Sequence, residues 1–159
     1  MVSRYDTTTG KEIPIRDRIG ILDRKLRVIN ENAVDDNEWL EWTTRAFQSV
    51  YGFEFQGDNL LLARINLLYS FVEYYHDKFN EDPDVVLLRK MVNIITWNFW
   101  QMDGITDTIP YGSPEPEEQQ MTLFDEVIYS NEEVTPVCRI FDWRSNESIK
   151  YTDLKKGNE

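Results

Sequence analysis

Residues 50–62 read VYGFEFQGDNLLL, an apolar and aromatic run that is interrupted at Glu54 and followed at once by a leucine-rich stretch. The first half is short and aromatic, which predicts a β-strand that ends at the glutamate. The second half starts a helical pattern over residues 58–80, with Asp58 or Asn59 as the expected N-cap. The segment therefore predicts a strand that passes directly into a long helix.

A second apolar run completes this pattern. Asp84 is expected to cap a short helix over residues 85–92. Residues 93–100 (NIITWNFW) are rich in β-branched and aromatic side chains, which predicts a second buried strand ended by the turn at Asp103. Strands separated by helices in this order predict a parallel pair. Ligands of open α/β sheets bind at the carboxyl edge of the strands, so Glu54 and Asp103 are predicted to face one crevice.

Further helices are predicted to flank this sheet. Apolar residues at three- and four-residue spacing predict a helix over residues 36–50, capped by Asp36 or Asn37. A weaker pattern of the same kind predicts a shorter helix over residues 17–28. The predicted fold class is α/β, with a partial Rossmann-like sheet, flanking helices and a C-terminal β-hairpin.

The last third of the chain differs in character. Residues 111–120 (YGSPEPEEQQ) contain prolines and acids without an apolar period, which predicts a linker or loop. Residues 135–154 alternate around the polar stretch RSNES, which predicts the hairpin. We expect one domain, with an α/β core in residues 1–112 and an acidic linker and hairpin in residues 113–159.

Composition narrows the classes of function. A chain of 159 residues with 41% apolar content can bury one real core. The lone Cys138 excludes an intramolecular disulfide, and with only His76 beside it no zinc ligand set is predicted. No long apolar stretch predicts a membrane span or a secretion signal, so a cytoplasmic location is expected. The net charge of −12 argues against strong direct binding of nucleic acid.

The stretch YGFEFQGDNLLLAR (residues 51–64) resembles the region around the second motif of S-adenosylmethionine-dependent DNA adenine methyltransferases, the modification subunits of restriction systems. The resemblance implies that Glu54, as the acid that ends the strand, hydrogen-bonds the ribose hydroxyls of the cofactor. Residues 93–104 (NIITWNFWQMDG) are similar to the third strand and its terminal acid, which implies a contact of Asp103 with the adenine ring. S-adenosylmethionine is thus the implied cofactor.

Aromatic residues next to these acids complete the predicted site. Phe53 or Phe55 and Trp97 or Trp100 are placed to stack on an adenine face, and we take Glu54, Asp103, Phe55 and Trp100 as the site residues. Competing structural interpretations stay open: the glutamate can be an ordinary exposed strand end, the tryptophans can belong to the core, and the aspartate can be a turn residue.

Two parts of the methyltransferase pattern are missing from the sequence. No glycine-bearing loop precedes the predicted strands, and no Asn/Asp-Pro-Pro-aromatic loop for a flipped adenine occurs. A donor and an acceptor cannot be aligned without these parts. The sequence therefore predicts a fragment or small subunit that needs a second chain for activity, with weak cofactor binding on its own.

Two other classes remain as alternatives. The acidic chain can be a phage-type anti-defence protein that binds a restriction or CRISPR nuclease as a mimic of DNA charge. A stand-alone methyltransferase with unrecognisable motifs is the third. The expected partner is a methylase subunit in the first case and a nuclease effector in the second, and an exposed sheet edge would also permit a homodimer.

Overall fold

A computed structural model of the protein describes residues 1–110 and 137–156, and the predicted linker lies outside these residues. The described part is a mixed α/β structure with five helices and two small sheets. In chain order it contains a 3-10 turn at Ile15–Asp17, α1 (Ile21–Asn32), α2 (Asp36–Gln48), β1 (Gly52–Glu54), α3 (Gly57–Phe79), α4 (Val85–Asn98), β2 (Phe99–Gln101), β3 (Arg139–Asp142), β4 (Glu147–Lys150) and α5 (Tyr151–Lys156).

The first four helices enclose the core. Trp39 of α2 is fully buried and surrounded by the rings of Phe71, Tyr75 and Phe79 from α3. The indole Nε1 donates a hydrogen bond to Asn30 Oδ1 on α1 at 2.7 Å, so the polar edge of this large side chain is satisfied inside the core. Three helices are thereby locked together by one aromatic residue.

The predicted parallel pair is confirmed. Strands β1 and β2 align Gly52 with Phe99 and Glu54 with Gln101 in parallel register. A Cβ atom on Gly52 would lie 2.8 Å from the Phe99 ring, so only glycine permits this close approach of the strands. The pair is short, with three residues in each strand, and the helices supply most of the packing around it.

The second predicted strand is mostly wrong. The structure makes residues 93–98 the last part of α4, and only Phe99–Gln101 are extended. The buried residues Met91, Ile94, Ile95 and Asn98 recur at three- and four-residue intervals, which is the helical period. A short run of β-branched residues is ambiguous by composition, and the packing of this face of α4 into the core decided the outcome.

The predicted helix starts are partly confirmed. Asp84 caps α4, with its carboxylate accepting a hydrogen bond from Leu87 N at 2.7 Å. Helix α2 is capped by Asp35, one residue before the predicted cap. The prediction of Asp58 or Asn59 as the cap of α3 is wrong, because this helix begins at Gly57 without any side-chain cap bond.

The C-terminal hairpin is confirmed. Strands β3 and β4 pair antiparallel, with Arg139 opposite Lys150 and Asp142 opposite Glu147. The intervening turn ends at Asn146, which has a positive φ of 59°, a conformation that asparagine tolerates well. Helix α1 is also confirmed, although it starts at Ile21, later than predicted. None of the helices in residues 1–110 and 137–156 is both long and apolar enough to cross a membrane.

Candidate functional site

The two predicted acids lie at the same edge of the β1–β2 pair. Glu54 is the last residue of β1, and Asp103 follows the end of β2 by two residues. The backbone continues the pairing beyond β2, because Met102 N donates a hydrogen bond to Glu54 O at 3.1 Å. We call this region, defined by Glu54 and Asp103, the carboxyl edge.

Both carboxylates bind the turn that follows them. Glu54 Oε1 accepts a hydrogen bond from Gln56 N at 3.2 Å, and Asp103 Oδ1 accepts one from Ile105 N at 2.8 Å. Both side chains are half-buried. A carboxylate has about four acceptor positions, so each acid stabilises its own turn and keeps capacity for a further donor.

The aromatic members of the predicted site are not all on the same face as Glu54. Neighbouring strands align Phe53 with Trp100 and Glu54 with Gln101, and successive residues of a strand point to opposite faces. Trp100 therefore lies on the face opposite Glu54, where its ring is 6.4 Å from that of Phe53. Phe55 is 43% exposed just beyond the end of β1.

Trp97, the other candidate for stacking on a base, belongs to the packing between α4 and the hairpin. Its ring centroid is 5.3 Å from that of Phe141 in β3. This contact favours the structural interpretation of Trp97 over a role in binding.

The face of the β1–β2 pair that carries Trp100 borders a cavity that was not predicted from the sequence. Its volume is about 920 Å³, and it lies between the end of α2, strand β2, the hairpin and α5. Four aromatic side chains line it, and we call it the aromatic cavity: Tyr51, Trp100, Trp143 and Tyr151. These residues are spread over a hundred positions of the chain and share no motif. No local sequence pattern therefore predicts that they line one cavity.

Hydrogen bonds hold the walls of the aromatic cavity. Asn98 is fully buried at the end of α4, and its Nδ2 donates to Phe47 O, Gln48 O and Val50 O. Its Oδ1 accepts a 2.7 Å hydrogen bond from Trp143 Nε1. One amide thus fixes both the end of α2 and the tryptophan of the hairpin turn.

Tyr51 joins the cavity wall to the hairpin. Its hydroxyl donates to Phe141 O at 3.0 Å. Burial raises the pKa of this hydroxyl, and the negative charge of Asp142 raises it further. The tyrosine is therefore a neutral donor at physiological pH.

Charged side chains lie around the aromatic rings. Arg45 and Arg144 line the cavity together with Asp142. The hydrogen bond from Arg144 N, followed by that from the Ser145 hydroxyl, holds the pKa of the Asp142 carboxyl below its ordinary value. The site thus combines aromatic faces, two guanidinium groups and one carboxylate whose oxygens accept hydrogen bonds from the adjacent turn.

A second electrostatic feature is a group of exposed acids at the junctions α1–α2 and α3–α4. We call Asp36, Glu81 and Asp84 the acidic end. Burial raises the pKa of the Tyr75 hydroxyl, and the charges of Glu81, Asp36 and Asp84 raise it further. All three acids therefore act on one region of the surface.

Within residues 1–110 and 137–156, no three His, Cys, Asp or Glu side chains converge closely enough to hold a metal ion. The chain matches no protein-family model, no curated protein and no solved structure.

Proposed function

We propose that this chain is a non-catalytic, methyltransferase-like subunit of a DNA-modification system that depends on a partner chain for activity. The observation that supports the proposal is the parallel pair β1–β2 with Glu54 at the end of the first strand and a long helix immediately after it. In this proposal the pair is the remnant of a Rossmann-like sheet, and the carboxyl edge binds the nucleoside part of S-adenosylmethionine.

The chemistry of the carboxyl edge suits a ribose. A half-buried carboxylate accepts hydrogen bonds from two neighbouring hydroxyl groups, and charge-assisted hydrogen bonds of this type are stronger than neutral ones. Glu54 is already positioned by Gln56 N, which limits the motion of its side chain. The partner would supply the glycine loop and the catalytic loop, so the expected affinity of the chain alone is weak.

Isothermal titration with S-adenosylmethionine tests the proposal. The wild-type chain should give weak, saturable heat, and Glu54→Gln should weaken binding about tenfold, because the amide loses the charge that strengthens the ribose contact. Glu147→Gln, at an exposed acid of β4, is the matched control and should bind as wild type. A folded wild-type chain that gives no heat at millimolar cofactor would overturn the cofactor site.

The alternative of an acidic inhibitor is favoured by the acidic end. Three exposed carboxylates act on one region of a chain whose net charge is −12, which suits a basic DNA channel of a nuclease.

A charge-matched comparison tests the inhibitor. The triple variant Asp36→Asn, Glu81→Gln, Asp84→Asn removes three charges and keeps a good N-cap on α4. The control removes three exposed charges elsewhere: Asp58→Asn, Glu147→Gln and Asp153→Asn. Inhibition of restriction or CRISPR nucleases that the first variant loses and the second keeps would support the alternative. Equal inhibition by both variants would contradict it.

A further inference from the structure

We propose that the aromatic cavity is a binding site for a nucleoside monophosphate, separate from the carboxyl edge. The base would lie against the aromatic rings, and the phosphate would bind Arg45 and Arg144. The site is on the opposite face of the β1–β2 pair from Glu54, so the inference does not depend on the proposed methyltransferase-like function.

The size and the walls of the cavity fit such a ligand. A volume of about 920 Å³ lies within the usual range of small-molecule sites. The ring centroid of Trp100 is 6.4 Å from that of Tyr51, with the planes at 75°, and 5.9 Å from that of Tyr151, with the planes at 59°. The three rings are therefore adjacent but inclined, and each can offer its own face to a base. Any nucleobase can stack on an aromatic ring, whatever hydrogen-bonding groups its edge carries, because every base has a π-face.

Trp100 also has an unsatisfied donor. Its indole Nε1 is buried, and no acceptor lies within hydrogen-bond distance among the described residues. A buried N–H without a partner is costly, and most buried indoles have one. This atom is buried and does not open into the cavity, so Trp100 contributes to the site through the face of its ring.

Cations from separate elements gather at this cavity. Arg144, in the hairpin turn, is exposed, and its positive charge also contributes to lowering the pKa of the neighbouring Asp142 carboxyl. Arg45, near the end of α2, forms a single exposed ion pair with Glu41 at 2.6 Å, which is a weak interaction that a phosphate can replace. Lys25 from α1 adds a charge nearby, since its Nζ donates to Ser49 Oγ at 2.6 Å and Ser49 lines the cavity.

One acid opposes the anion. Asp142 also lines the cavity, but its two oxygens accept hydrogen bonds from Arg144 N and the Ser145 hydroxyl. The overall charge of −12 disfavours a long polyanion, which would meet repulsion beyond the cavity. A single nucleotide meets only the charges at the cavity, which are Arg45, Arg144 and Asp142, and for this reason we infer a mononucleotide and not a nucleic-acid strand.

Isothermal titration of the full chain with adenosine 5′-monophosphate tests the site. Saturable heat is expected, and Arg144→Gln should weaken binding about tenfold by removing one charge-assisted phosphate contact. Trp100→Leu removes an aromatic face on which the base would stack, and should weaken binding by a similar factor. Adenosine without phosphate should bind at least tenfold more weakly than the monophosphate, since it lacks the group that the arginines contact.

Matched controls separate the outcomes. Arg89→Gln removes an exposed cation of α4 that is outside the cavity, and should bind the monophosphate as wild type does. The carboxyl edge is proposed to bind the same nucleoside, so the titration is repeated with Glu54→Gln. Heat that persists in this variant and depends on Arg144 belongs to the aromatic cavity, and heat that this variant loses would overturn the proposal. Absence of heat at millimolar nucleotide, equal affinity for adenosine, or equal weakening by Arg89→Gln would each overturn the proposal. Because Arg144 is exposed in a turn, its replacement leaves folding intact, which circular dichroism would verify.

Discussion

Glu73 on α3 holds two arginines of the N-terminal arm. Its carboxylate accepts hydrogen bonds from Arg4 Nε at 3.0 Å and from Arg18 Nη1, and the Arg18 side chain is only 1% exposed. Burial by itself would raise the pKa of the Glu73 carboxyl. The hydrogen bonds and positive charges of both arginines outweigh this effect, so the net pKa lies below its ordinary value.

Replacing Glu73 with glutamine should destabilise the fold strongly. The change leaves the buried guanidinium of Arg18 with only the exposed Glu12, 3.3 Å away, as its counter-charge. Removal of one partner from a buried pair costs about 3 kcal/mol. Urea denaturation monitored by tryptophan fluorescence measures the free energy of unfolding. The control Glu147→Gln should change it by less than about 0.5 kcal/mol; an equal loss in both variants would contradict the role of Glu73.

The same residue sets a pH dependence. Since the folded-state pKa is lowered, the contribution of Glu73 is fully present above its ordinary value of 4.5 and is lost as pH falls through the folded pKa. The wild-type chain should therefore lose stability in this acid range more steeply than Glu73→Gln. Parallel slopes for the two chains would count against the ion network.

Individual residues also show how much of the candidate site could be predicted from the sequence. The positions of Glu54 and Asp103 at one edge were predictable, because both follow short apolar runs of parallel strands. The face of Trp100 was not predictable. The predicted strand over residues 93–100 placed the start of β2 six residues too early, and the aromatic cavity opposite Glu54 depends on the hairpin packing there.

At the scale of whole elements, the helices were easier to predict than the strands. The apolar period of α2 and α3 extends over many turns, and the predicted ranges agree with the structure within about two residues. Strand β2 has three residues and contains no period that could distinguish it from the end of α4. Helices are specified by repetition along the chain, whereas so short a strand is specified by its neighbour.

The N-termini of α3 and α4 differ in their caps, which gives a prediction about the stability of the fold. Asp84→Ala removes the hydrogen bond to Leu87 N and should lower the free energy of unfolding by about 1 kcal/mol. Asp58→Ala removes no cap bond, because α3 starts without one, and should cost about 0.5 kcal/mol through the helix dipole alone. Urea denaturation of both variants checks the difference; equal losses would contradict the cap assignment.

At the scale of the whole molecule, the hairpin is packed onto the helical core by contacts far apart in sequence. Trp143 bonds to Asn98, and Tyr51 bonds to Phe141. Cys138 lies in the same interface, 1% exposed, with its Sγ 3.6 Å from Gln101 O. These contacts connect residues 137–156 to the β1–β2 pair and make the aromatic cavity a product of the complete fold.

The reactivity of Cys138 reports on this packing. Burial, and then the charge of Asp107, raise the pKa of its thiol from 9.0 to about 11, so the thiol is protonated near neutral pH. The native chain should react with DTNB at least about a hundredfold more slowly than the urea-unfolded chain. Cys138→Ser provides the blank. Native and unfolded rates of similar size would show that the hairpin does not cover the thiol.

The sequence by itself determined the helix periods, the cap at Asp84, the parallel order of the strands and the hairpin turn. The periods, the cap and the turn depend on residues within a few positions of one another, where backbone geometry and local hydrogen bonds act directly. The parallel order follows from the helices that separate the two strands. Only the tertiary structure decided that α4 extends to Asn98, that Glu54 and Trp100 occupy opposite faces, and that Tyr51 bonds to Phe141. Those outcomes depend on which apolar surfaces, distant in sequence, pack against each other and are removed from water. No local sequence pattern specifies which surfaces pair.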